Sequence, residues 1–204
     1  MKVRHVPRTL APEAWGLMTD AEGQLCAGGC LMSELARLYG TPLHVLDETG
    51  LEAGAREFLR GVRREFGNQA SVHYAMKCNS VPEVVRILHQ AGLSLEVMTP
   101  YELELALRLG CPGSKIIANG PSKTREFLQQ CMETEVRLIV ADSLDELMDL
   151  ETVASQAGTG TDVLLRVNID YTPRGMKRGS ATASRRGSAF GLDLAGGEVT
   201  KALI

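Results

Sequence analysis

From about residue 70 onward, one pattern of apolar and polar positions repeats along the chain. A short apolar run ends in a polar residue, a turn follows, and an amphipathic stretch leads to the next run. The runs are Val72–Met76, Leu93–Val97, Lys115–Ala118, Arg137–Ala141 and Val163–Val167, starting 21 to 26 residues apart. Each predicts a short buried strand, and a helix is expected after each of the first four. The interval suits one strand, one helix and two tight loops. Helix starts are marked by Pro82 behind Asn79 and Ser80, by the capping boxes Thr99–Glu102 and Ser143–Glu146, and by Ser122 as an expected cap. Gly92, Gly110 and Gly158 stand where helices should end.

The first part of the chain is less regular. Trp15–Met18 and Gln24–Ala27 predict a strand pair around the turn Asp20-Ala21-Glu22-Gly23. A short helix capped by Ser33 and ended by Gly40 follows, then an apolar strand over Pro42–Leu46. Residues 51–66 carry Leu51, Ala55, Phe58, Leu59, Val62 and Phe66 at helical spacing, with Gly67 as the stop.

Five strands in regular βα alternation imply an α/β fold with a parallel sheet and right-handed crossovers. An open doubly wound sheet and a (β/α)8 TIM-barrel-like sheet both fit. No G-x-G-x-x-G follows the first strand, which favours the barrel. A barrel needs eight units over about 250 residues. Five strands are therefore expected to form a barrel truncated after about five βα strands, unless the sheet is open.

Composition narrows the function without assigning it. The 204 residues carry a net charge of −3 and 4% aromatics, which argues against nucleic acid as a partner. Five scattered cysteines, with Cys26 and Cys30 lacking a second pair, predict reduced thiols and no metal. Without a secretory h-region or an apolar run of about 20 residues, no membrane association is expected and the chain is read as cytoplasmic.

The strand ends carry Lys77, Glu96, Asn119, Asp142, and Arg166 with Asn168. Catalytic groups of barrels sit at such ends. Lys77 directly follows an apolar run, so partial burial of its ammonium is expected. Burial makes the neutral, nucleophilic amine more available.

Several segments are similar to those of a known family. His73-Tyr74-Ala75-Met76-Lys77-Cys78-Asn79-Ser80 resembles the Y-A-x-K-A-N-S segment of the fold-type III pyridoxal-phosphate (PLP) decarboxylases, the ornithine/diaminopimelate/arginine decarboxylase type. Leu35–Leu43 resembles L-A-x-x-Y-G-T-P-L, and Leu95–Leu103 resembles x-D-V-x-S-x-x-E-L. Asn119–Thr124, Asp142–Leu147, Leu165–Asn168 and Ser188–Leu192 resemble the family's G-x-x-K-T/S, D-S-x-x-E-L, L-R-V-N and S-K-F-G-I in the same order. Glu96 stands for the usual Asp, and Ala189 for the usual lysine.

The resemblance implies an alanine-racemase-like PLP barrel, with residues 1–45 joining a β-domain and residues 46–204 forming part of the PLP-binding barrel. It implies PLP as cofactor, held by Lys77, with Glu96 and Arg166 close to it. Glu102 and Asn168 are candidates for substrate or supporting contacts. Glu102 is also explained as a capping residue, and Asn119, Lys123 and Asp142 are read as structural. The implied activity is decarboxylation of a basic or diamino amino acid, in a homodimer, with the chain a fragment of the full enzyme. The phosphate loop and ring-nitrogen partner of the family are absent from the sequence. Two other readings stay open: an amino-acid racemase of the same fold, and a non-catalytic homologue acting as a binding or regulatory protein. The basic stretch Arg174, Lys177, Arg178, Arg185 and Arg186 is read as a solvated loop, with attraction of a polycarboxylate as an alternative.

Overall fold

The structure, a computed structural model, describes residues 11–169, 171 and 190–204. The basic stretch, together with Ser188 and Ala189, lies outside them. The chain divides into two compact units, Met1–Gly67 and Asn68–Ile204.

The first unit holds an antiparallel sheet of β1 (Leu17–Thr19), β2 (Leu25–Ala27) and β3 (Cys30–Leu31), followed by α1 (Met32–Tyr39) and α2 (Glu48–Phe66). The β1–β2 turn forms as its sequence requires, with Asp20 Oδ1 accepting from the amides of Glu22 (3.0 Å) and Gln24 (2.7 Å). Four expectations are corrected here. Leu31, not Ser33, occupies the cap of α1, with no side-chain bond, because the helix starts directly from β3. Residues 42–46 form no strand, having no ladder partner among the described residues. On α2 the buried face is narrower than the apolar pattern suggested: Ala55 and Leu59 are buried, whereas Phe58 and Phe66 are exposed. The helix also begins three residues early, because Asp47 caps it by accepting from Thr49 N at 3.1 Å.

The second unit contains the repeat. Its parallel sheet runs in the order β4 (His73–Ala75), β5 (Ser94–Val97), β6 (Ile116–Ala118), β7 (Leu138–Ala141), β8 (Val163–Leu165). Between the strands lie α3 (Pro82–Gln90), α4 (Pro100–Arg108), α5 (Arg125–Glu133) and α6 (Leu144–Ala157). Each strand pairs with the next in sequence. This progression belongs to a barrel wall and contains no switch point, which a doubly wound sheet requires. The fifth expected strand is interrupted at Arg166: Val167–Asn168 (β9) pairs instead with Leu192–Asp193 (β10). Near the end of the described chain lies Glu198–Ala202 (α7), with Gly197 at its N-cap.

Strand alternation separates two faces. Leu95, Val97, Ile116, Ala118, Ile139 and Ala141 are fully buried and join Leu103, Phe127, Leu128 and Val153 of the helices in one core. The intervening positions, His73, Ala75, Ser94, Glu96, Ile117 and Leu138, are only half-buried and share the opposite face.

Two helices start on the same clamp. Thr99 Oγ1 accepts from Glu102 N (3.2 Å), and Glu102 Oε2 accepts from Met98 N (2.7 Å). Ser143 Oγ accepts from Glu146 N (3.2 Å), and Glu146 Oε2 accepts from Asp142 N (2.7 Å). Both boxes form, but each glutamate bonds the residue before the cap, so the clamp reaches back to the strand end. In α5 the cap is Thr124, which accepts from Phe127 N at 3.3 Å, and not Ser122. The helix starts two residues later than expected because Lys123 turns into the interior.

Candidate active site

Glu96 is itself an opposite-face position, Asn119 follows Ile117 and Asp142 follows Val140 in the same alternation, and Lys77 lies on the turn just beyond β4. These groups therefore gather at the carboxyl edge of the sheet on the face away from the helix core.

Lys77 lies on a short 3-10 turn, Met76–Cys78, one step beyond β4. Its ammonium is 3.9 Å from Glu96 Oε1. The expected burial is not found: the Lys77 side chain is 56% exposed, because the turn carries it clear of the ladder. A pair this open contributes roughly 0–1 kcal/mol to stability, so its weight is positional. Glu96, 21% exposed, also accepts from Asn119 Nδ2 at 3.1 Å through the same oxygen. Asn119 Oδ1 in turn accepts from Gly120 N (2.8 Å). Beneath the turn, Tyr74 donates its hydroxyl to Asn79 O (3.1 Å). Burial, together with the Cys78 thiol, pushes the Tyr74 phenol up from its ordinary value, which keeps it neutral. His73 sits between Leu95 O (3.3 Å from Nδ1) and Ser71 Oγ (3.1 Å from Nε2), and burial pulls its pKa down.

A second group forms where the sheet ends. Asp142, 4% exposed, accepts from Arg166 Nη1 (2.6 Å) and Gly191 N (2.7 Å). The Arg166 guanidinium lies 4.5 Å from the centre of the Phe190 ring. Asn168 donates to Phe190 O at 3.2 Å. Arg166 is thus held from two sides, by a carboxylate and an aromatic face.

Of the residues singled out by sequence, Lys77 and Glu96 are brought together, and Arg166 and Asn168 both contact Phe190. Glu102 is engaged in its helix clamp. Two groups read as structural touch these residues: Asn119 on Glu96 and Asp142 on Arg166. Their place in the alternation, one step past each strand, was the available signal.

Residues 54–203 match the family model described as pyridoxal-dependent decarboxylase, pyridoxal binding domain. The chain belongs to this family of PLP enzymes. Diaminopimelate decarboxylase of Mycobacterium tuberculosis (strain ATCC 25618 / H37Rv) is 34% identical over 196 residues, which cover 95% of this chain and 42% of that protein. Diaminopimelate decarboxylase of Actinosynnema pretiosum subsp. auranticum is 37% identical over 191 residues, covering 93% and 41%. A crystal structure of diaminopimelate decarboxylase from M. jannaschii in complex with L-lysine superposes with a TM-score of 0.80 at 28% identity, covering 92% and 43%. The chain therefore spans about two fifths of the length of these relatives.

Proposed function

We propose that this chain carries the cofactor lysine of a PLP-dependent decarboxylase acting on a diamino acid of the diaminopimelate type. The observation that carries the reading is the Lys77–Glu96 pair at the barrel edge of a chain that belongs to this family.

The residues fit the aldehyde end of the cofactor. PLP presents an aldehyde, a pyridine ring and a phosphate. Lys77 offers a primary amine accessible at the mouth, with the Glu96 carboxylate 3.9 Å from it. Glu96 is held in place by Asn119. Arg166, paired with Asp142 and stacked on Phe190, is the cation of the second group, and its guanidinium suits an anionic part of the ligand. Glu102 and Asn168 act indirectly in this proposal, by fixing Met98 and Phe190 respectively. When bound, the cofactor supplies an electron sink for the bonding pair left as carbon dioxide departs. The relatives named above are decarboxylases, which favours this reading over racemisation.

The test uses the full-length protein with PLP, trapped by borohydride and mapped by mass spectrometry, alongside carbon dioxide release from diaminopimelate, ornithine and lysine. Label on Lys77 and release from diaminopimelate are expected. Label elsewhere, or epimerisation with both carboxylates retained, overturns the proposal. The homodimer implied by the resemblance belongs to the same proposal, and sedimentation of the full-length protein tests it.

A further inference from the structure

Among the ion pairs of the described residues, Lys123 is the most deeply enclosed cation. Its side chain has 0% exposure, and its ammonium lies 2.8 Å from Glu146 Oε1 and donates to Gly120 O at 2.5 Å. The partner carboxylate is 7% exposed. Stability alone gives no reason for this arrangement. Desolvating two charges costs about what their attraction returns, and an apolar pair of similar volume is often as stable or more so. Nor does helix capping require it. Glu102 makes the same clamp at the start of α4, and Thr99 and Met98 complete that clamp with no lysine in it.

What Lys123 adds is a link between two strand ends. On one side it holds the carbonyl of Gly120. The amide of that residue bonds Asn119 Oδ1, and Asn119 Nδ2 bonds Glu96, the acid beside Lys77. Gly120 has φ +117, and a Cβ there would come within 3.3 Å of Met98 Cε, so the turn depends on glycine. On the other side Lys123 holds Glu146. The second oxygen of Glu146 bonds Asp142 N, and the Asp142 side chain bonds Arg166. An unbroken series of contacts thus runs from Lys77 to Arg166 with Lys123 at its centre.

We propose that Lys123 is a positioning residue: through Gly120 and Asn119 it sets the orientation of Glu96 against Lys77, and through Glu146 and Asp142 it sets that of Arg166. The inference rests on Lys77 being the cofactor lysine. The test compares the full-length protein with K123M/E146Q, which removes both buried charges while keeping an acceptor for Asp142 N, and with N119A, which cuts the series one step from Glu96. The readouts are the rate and pH dependence of PLP attachment to Lys77, followed by the absorbance of the bound cofactor and by borohydride trapping. Far-UV circular dichroism checks that the fold is retained. Both variants should attach PLP on the order of tenfold more slowly, the value of one hydrogen bond to a charged group. Both should also show a displaced pH profile, which a purely structural role would leave in place. Unchanged rate and profile in folded K123M/E146Q overturn the inference, as does an unchanged N119A should the double variant not fold. No label on Lys77 in the parent protein overturns the functional reading instead.

Discussion

Replacing Asp142 by alanine removes the acceptor for two bonds at once. Arg166 Nη1, at 2.6 Å, and Gly191 N, at 2.7 Å, both lose their partner in a site where the carboxylate is 4% exposed. A hydrogen bond to a charged group contributes about 1.5–3 kcal/mol. Arg166 is 31% exposed, so water takes over part of its solvation and the loss lies at the lower end. The expected destabilisation is about 3 kcal/mol. D142N retains an oxygen for Gly191 N but turns an uncharged amide toward the guanidinium, for a loss of about 2 kcal/mol. Urea unfolding followed by far-UV circular dichroism measures both. Amide exchange at Gly191 should accelerate in D142A and remain slow in D142N. A double-mutant cycle of D142N with R166M should give a coupling of at least about 1 kcal/mol. A D142A loss below about 1 kcal/mol, or zero coupling, refutes the view that this carboxylate holds the strand end together.

Four further outcomes follow from the structure. Gly113→Ala should destabilise by about 3 kcal/mol or more in urea unfolding, because its Cβ would lie 1.8 Å from Thr134 O, a backbone atom that cannot rotate away. Leu128→Ala, at 0% exposure in the core, should cost about 2–5 kcal/mol in the same assay. Burial pushes the thiol of Cys131 up to about 12 and that of Cys111 up to about 11, so neither should react with a thiol reagent at neutral pH, whereas exposed Cys30 and Cys78 should. Burial holds the folded-state pKa of His73 below its ordinary 6.5, so the unfolded chain binds its proton first. Stability should therefore be flat above that value and fall as pH drops below it, and H73Q should reduce the slope.

The repeat was legible because each strand is bounded by chemistry that acts locally. Thr99 and Ser143 cap their helices where the spacing placed them, and all five strands pair in sequence order. The misreadings occur where a longer-range contact decides the outcome. Ser122 has the right side chain for a cap, but Lys123 finds a buried partner in Glu146, twenty-three positions on, and the helix starts after it. Lys77 follows an apolar run, yet the 3-10 turn that exposes it depends on Tyr74 reaching Asn79 O, which periodicity does not encode. Arg166 interrupts its strand because Leu192 N bonds its carbonyl at 2.7 Å, across a sequence separation beyond the reach of local pattern.

The alternation of each strand also separates two kinds of evolutionary freedom. Leu95 and Glu96 are neighbours in the chain, yet one is sealed in the helix core while the other stands at the mouth. The same holds for Ala118 with Asn119. A substitution at the second member of each pair changes what the edge presents to a ligand and leaves the packing of the first intact. Such a scaffold can change the groups at its edge by single steps, without passing through an unfolded ancestor.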